Sequence, residues 1–113
     1  MGGHKAPKIV DRDVDAALRA FVSKLKRAYR IERILLFGSR ARGDSLKSSD
    51  VDLVIVSPDF DGVGWVERIT AVAKLWKGPV ALEALCYTPT EFERRAREVS
   101  IVRVAGNEGL RIA

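Results

Sequence analysis

Apolar positions along the chain change their period several times, and each change marks an element. From Asp11 onward, Val14, Leu18, Phe21, Leu25 and Tyr29 recur every three or four residues, the stripe of an amphipathic helix. Asp11, Asp13 and Asp15 crowd its start and Lys24, Lys26, Arg27 and Arg30 its end, which complements the helix dipole. Those basic residues read as a solvated helix end rather than a phosphate patch. Ile31 to Phe37 and Val51 to Val56 are short, nearly continuous apolar runs, predicted as buried strands. Pro58 and Gly62 punctuate the loop that follows. Trp65, Ile69, Val72 and Trp76 return to helical spacing, which assigns both tryptophans to packing, and Gly78-Pro79 ends that helix. A third strand is predicted over Val80 to Tyr87. Thr88-Pro89-Thr90-Glu91 then carries the signature of a capped helix start, with Thr88 as cap, Pro89 at the first helical position and Glu91 closing a capping box. That helix is expected to run to about Glu98, and Gly106 and Gly109 suggest a stop followed by a short strand.

This order gives an α/β (α+β) domain with a short mixed sheet flanked by helices. At 113 residues the chain holds one core. Residues 1–10 are expected to form a flexible basic tail, with His4 in it as no ligand, and residues 11–113 the folded domain. Neither an internal repeat nor a domain linker is visible.

Composition narrows the chemistry. A single cysteine, Cys86, excludes an internal disulfide, and without clustered Cys or His a zinc site is not supported. No apolar run reaches the roughly 20 residues of a membrane helix, and no signal peptide is recognised, so a cytoplasmic location is expected. The net charge of +5 suits an anionic partner, but the basic residues are dispersed, so nucleic acid is not expected as a direct ligand. The absence of Gln, a lone Asn107 and the abundance of Arg and Glu lean towards a thermophilic source.

The stretch FGSRARGDSLKSSDVDLVIV, Phe37 to Val56, carries the chemistry. Asp50 and Asp52 are one residue apart, and alternate side chains of a strand share a face about 6.5–7 Å apart along the backbone. Val51, Leu53 and Ile55 then point into the core. Paired carboxylates repel unless a cation lies between them, and Mg²⁺ takes carboxylate and phosphate oxygens readily. The structural alternative is that Asp50 caps a turn and Asp52 pairs with Arg40 or Arg42. Gly38-Ser39 lets a phosphate approach backbone amides and adds a hydroxyl donor, although Ser39 as a plain helix cap fits as well. No histidine base lies near enough in sequence to make Ser39 a covalent nucleophile. Neither the Walker pattern nor a dinucleotide-binding glycine fingerprint occurs.

Gly38-Ser39, ten residues, then Asp50-Val51-Asp52 resembles the signature of the DNA polymerase beta-like nucleotidyltransferase superfamily. The run GSRARGDSLKSSDVDLVIV is similar to that of its smallest members, the minimal nucleotidyltransferases of prokaryotes. The resemblance implies that Gly38 and Ser39 hold the triphosphate of ATP. It implies that Arg40, Arg42, Lys47 and Ser49 contribute to nucleotide binding, although surface ion pairs are an equal reading for the three basic residues. Asp50 and Asp52 would bind two Mg²⁺ ions, with Mn²⁺ as an alternative. The family's third acid is usually Asp. Here Glu83 is the only acid in PVALEALCYT, and Ala81 is its rival for the aligned position. As a catalytic group Glu83 would be a metal ligand that activates the attacking hydroxyl; as a structural group it would be a buried carboxylate.

The activity implied is metal-dependent transfer of a nucleoside monophosphate, AMP from ATP, to a hydroxyl of a partner protein. In the minimal family that partner is a HEPN-type toxin encoded nearby, the pair forming a toxin–antitoxin system. A second copy of the chain, as a homodimer, is the other candidate for completing the acceptor site. The alternative is a non-catalytic antitoxin that masks its toxin by binding.

Overall fold

The computed structural model describes residues 12–37, 50–97 and 110–113. The N-terminal tail 1–10, the expected helix start Asp11, the segment Gly38 to Ser49 and the C-terminal signals Glu98, Gly106 and Gly109 lie outside the described residues. In chain order the elements are α1 (Arg12–Ala28), β1 (Arg33–Phe37), β2 (Val51–Val56), a 3-10 turn (Pro58–Phe60), α2 (Trp65–Ala73), β3 (Leu82–Tyr87), α3 (Pro89–Ala96) and β4 (Leu110–Arg111). The sheet order is β3-β2-β1-β4. β1 runs antiparallel to β2 and β4, whereas β2 and β3 are parallel, joined by the crossover through α2. The expected mixed sheet with flanking helices is the architecture observed.

Strand alternation divides the sheet into two faces. On one, Ile34, Leu36, Val51, Leu53, Ile55, Ala84 and Cys86 pack with Val14, Phe21 and Leu25 of α1 and Val72 of α2. The predicted α1 stripe is thus the buried face of that helix, with Leu18 and Tyr29 at its margin. On the other, Leu35, Val54, Val56 and Tyr87 pack with Phe92 of α3. Arg33 lies over the Phe92 ring at 5.4 Å and helps seat that helix. The α3 capping box forms as its sequence dictates. Thr88 Oγ1 accepts from the Glu91 N–H (3.1 Å) and Glu91 Oε1 accepts from the Thr88 N–H (2.9 Å).

Four boundaries differ from expectation. β1 begins at Arg33 rather than Ile31, because the Arg30 N–H is drawn to Asp59 Oδ2 (2.8 Å) and the chain is still turning there. α2 stops at Ala73, after which i→i+3 bonds carry the chain to Trp76. Trp76 therefore leaves the α2 stripe. Its indole folds over Gly78, where a Cβ would collide with the ring, and donates to the Val80 carbonyl (2.8 Å). β3 starts at Leu82 instead of Val80. α3 ends at Ala96, short of Glu98.

The two tryptophans also separate. Trp76 meets Phe21 edge-on, ring centres 5.4 Å apart, as core packing requires. Trp65 is 42% exposed and lies against Tyr87 at the first turn of α2. It is not a core residue.

Candidate active site

The start of β2 gathers the acidic residues. Asp50 is exposed and immediately precedes the strand; Asp52 is half-buried on it. Val51, Leu53 and Ile55 are fully buried on the opposite face, so their burial fixes which way Asp52 points. Register then supplies the neighbours. Asp52 is opposite Phe37 of β1 and opposite Glu83 of β3. Glu83 is thus on the adjacent strand, on the same face as Asp52, and Ala81 lies outside β3. It is exposed, so the structural reading of a buried carboxylate does not hold.

Asp50 and Glu83 act on Asp52. Asp52 has its pKa raised by burial first, then by the charges of Glu83 and Asp50 and by a side-chain hydrogen bond with Glu83. A divalent cation would neutralise this repulsion, and carboxylate oxygens are the donors Mg²⁺ prefers. Among the described residues no three His, Cys, Asp or Glu side chains already surround one point that a metal could fill. The donor chemistry of Asp50, Asp52 and Glu83 fits a hard cation, and a substrate phosphate is the customary further ligand.

The other predicted ligands, Gly38, Ser39, Arg40, Arg42, Lys47 and Ser49, lie outside the described residues. Their chain position alone is fixed, between the end of β1 at Phe37 and the acidic start of β2. Phe37 escaped the sequence reading as a neighbour of Asp52. The antiparallel pairing of two runs that meet at FGS and DVD was the available signal.

A second polar cluster lies at the opposite end of the parallel strands. Arg68 of α2 is buried, yet it donates to the Val63 carbonyl (2.8 Å), the Cys86 carbonyl (3.1 Å) and both Glu91 oxygens (2.6 and 3.1 Å). Trp65 and Phe60 flank the guanidinium at 5.7 and 5.9 Å. The Arg68 hydrogen bond is the main reason the Glu91 carboxyl is held below its usual range. The cluster meets β3 at Cys86, three residues after Glu83 on the same strand, and its links join α2, β3 and α3. Its role is structural. The sequence hint was an arginine one turn from Trp65 and Val72 on an apolar stripe.

The chain resembles known proteins in family and in fold. The family model described as "Nucleotidyltransferase domain" matches residues 18–105. A relative in Methanocaldococcus jannaschii, "Putative protein adenylyltransferase MJ0604", is 50% identical over 52 residues, 43% of this chain and 52% of its own length. A second from that organism, "Putative protein adenylyltransferase MJ1215", is 33% identical over 51 residues, 42% of this chain and 59% of its own. The chain thus spans little more than half the length of either relative. A crystal structure described as "a putative nucleotidyltransferase from Sulfolobus solfataricus" superposes with a TM-score of 0.61. It covers 83% of this chain and 82% of the other at 24% identity, a likeness of fold. Among the described residues, no helix is long and apolar enough to cross a membrane.

Proposed function

As the chain belongs to the nucleotidyltransferase domain family, we propose that it transfers AMP from ATP to a hydroxyl of a partner protein, releasing pyrophosphate. The observation that carries this reading is the register of Glu83 beside Asp52, with Asp50 two residues earlier.

Each carboxylate has a task. Asp50 and Asp52 would hold divalent metal together with the triphosphate, and Glu83, on the far side of Asp52, faces the acceptor and takes its proton. Such ions, when bound, would supply charge neutralisation and lower the acceptor's pKa. The acceptor oxygen bonds to the α-phosphorus as the bond from that phosphorus to the pyrophosphate oxygen breaks. Asp52, half-buried, stands in register between Phe37 and Glu83. Gly38 and Ser39 take the triphosphate, assisted by Arg40, Arg42, Lys47 and Ser49.

A protein acceptor accords with the names of the two Methanocaldococcus relatives. The acceptor we assign is a HEPN-type toxin encoded nearby, modified on tyrosine, whose phenol with a pKa near 10 ionises far more readily than a serine hydroxyl. Intact-mass spectrometry of that toxin after incubation with this protein, Mg²⁺ and ATP tests the reading. One added AMP is expected with wild type and none with the Asp50→Asn, Asp52→Asn double variant. A toxin neutralised without a mass change would instead establish the masking antitoxin.

A further inference from the structure

Backbone directions in β3 define a second feature of the acidic end. The Val51 N–H donates to the Ala81 carbonyl and the Ser57 N–H to the Tyr87 carbonyl. In a parallel pair this sets Ala81, Glu83, Leu85 and Tyr87 towards β2, while the N–H and C=O groups of Leu82, Ala84 and Cys86 point outward. β3 is the edge of the sheet. At its C-terminal end Arg68 closes that edge by donating to the Cys86 carbonyl. At its N-terminal end, among the described residues, no hydrogen bond reaches the outward groups of Leu82 or Ala84. Ala81 and Glu83 are exposed and Leu82 is half-buried, while Ala84 and Cys86 are buried. The open part of the edge is therefore short and adjoins Glu83.

We propose that this edge is where the acceptor docks, as an extended segment that adds one antiparallel strand to β3 at Leu82 and Ala84 and presents its hydroxyl residue opposite Glu83. The inference rests on Glu83 being the carboxylate that faces the acceptor. Exposed strand edges bind extended peptides through their main chain and select side chains by alternation. The residue opposite Glu83 occupies a non-hydrogen-bonded pair, where Cα atoms approach to about 4.5 Å and both side chains share a face. Its flanking residues point to the other face, beside half-buried Leu82, and should be apolar. Residues two positions away return to the face that carries Asp50, Asp52 and Glu83, where basic side chains give complementary charge. The occupant is thus an apolar-alternating segment with a hydroxyl residue between basic ones.

The probe is the peptide Val-Lys-Val-Tyr-Val-Lys-Val, titrated without nucleotide into the ¹⁵N-labelled full chain. The Leu82 and Ala84 amide signals should shift and exchange more slowly. N-methylation of the two valines beside the tyrosine removes the donors that face β3 and should weaken binding about tenfold or more, whereas N-methylation of the tyrosine, whose N–H points away, should not. Exchanging both lysines for glutamates should weaken it as well. Equal binding of the two N-methylated peptides, or shifts confined to residues away from β3, overturns the proposal. Because this readout uses no catalysis, it separates from the proposed activity. A peptide that docks but never receives AMP argues against the activity, and a partner that receives AMP without perturbing Leu82 or Ala84 argues against the edge.

Discussion

Glu83 is the residue on which the division of labour turns. It is exposed and in register with Asp52, so its replacement would remove the proposed proton acceptor without opening the core. Glu83→Gln should bind Mg-ATP nearly as wild type and transfer AMP about tenfold more slowly or worse, since general-base contributions are of that size or larger. Single-turnover transfer at saturating Mg-ATP reads this directly; equal rates would remove Glu83 from the catalytic set. Cys86 is the contrasting residue. It is fully buried, and burial pushes its thiol up to about 12. The folded protein should therefore resist a thiol-specific disulfide reagent at pH 8 and react at once when denatured, a clean probe of global unfolding. At this scale the sequence was most informative where spacing alone sets direction. Asp50-Val51-Asp52 could be placed on a strand face from alternation, and three buried apolar residues on the other side of β2 agree. Whether Glu83 or Ala81 stands beside Asp52 depended on inter-strand register, which a single strand does not encode. The structure puts Glu83 there and Ala81 before the strand.

At the scale of elements, local codes were legible and long-range competitors were not. The α3 start was readable because both partners of its capping box are three residues apart. The end of α2 was not, because Trp76 leaves the helical stripe and its indole bonds the Val80 carbonyl, and periodicity gives no sign of that bond. Arg68 is the other such case: an interior helix position whose four hydrogen bonds reach Val63, Cys86 and Glu91. Arg68→Ala would leave the Cys86 carbonyl without its partner and a cavity between Trp65 and Phe60, and should cost about 2–3 kcal/mol in denaturant unfolding. A change under 0.5 kcal/mol, the usual range of ordinary surface substitutions, would show that the network merely decorates the fold. The same pair sets a pH dependence. Because the Glu91 carboxyl is lowered, chiefly by Arg68, its contribution is complete above the unfolded value near 4.3 and is lost as pH falls through the lower folded value. The melting temperature of wild type should thus fall more steeply below about pH 4.3 than that of Glu91→Gln, and parallel curves would contradict the assignment.

At the scale of the molecule, the sheet separates two kinds of polar chemistry. At the end where β2 and β3 begin, Asp50 and Glu83 are close enough to perturb Asp52. At the end where those strands finish, Arg68 and Glu91 neutralise each other and tie α2 to α3. One pairing is satisfied within the fold; the other carries like charges that a divalent cation would balance. Fold class was legible from the changes of hydrophobic period, and the acidic end from the spacing of its motif. The edge position of β3 was not, since strand order is a property of the assembled sheet. The most direct test of the account is the affinity of Mg-ATP measured by titration calorimetry for wild type, Asp50→Asn and Asp52→Asn, with circular dichroism confirming that each is folded. Each substitution should weaken Mg-ATP about tenfold or more, and chelation of the metal should weaken ATP for wild type in the same way. Folded variants that bind Mg-ATP as wild type does would contradict the assignment of this acidic end as a metal-dependent nucleotide site.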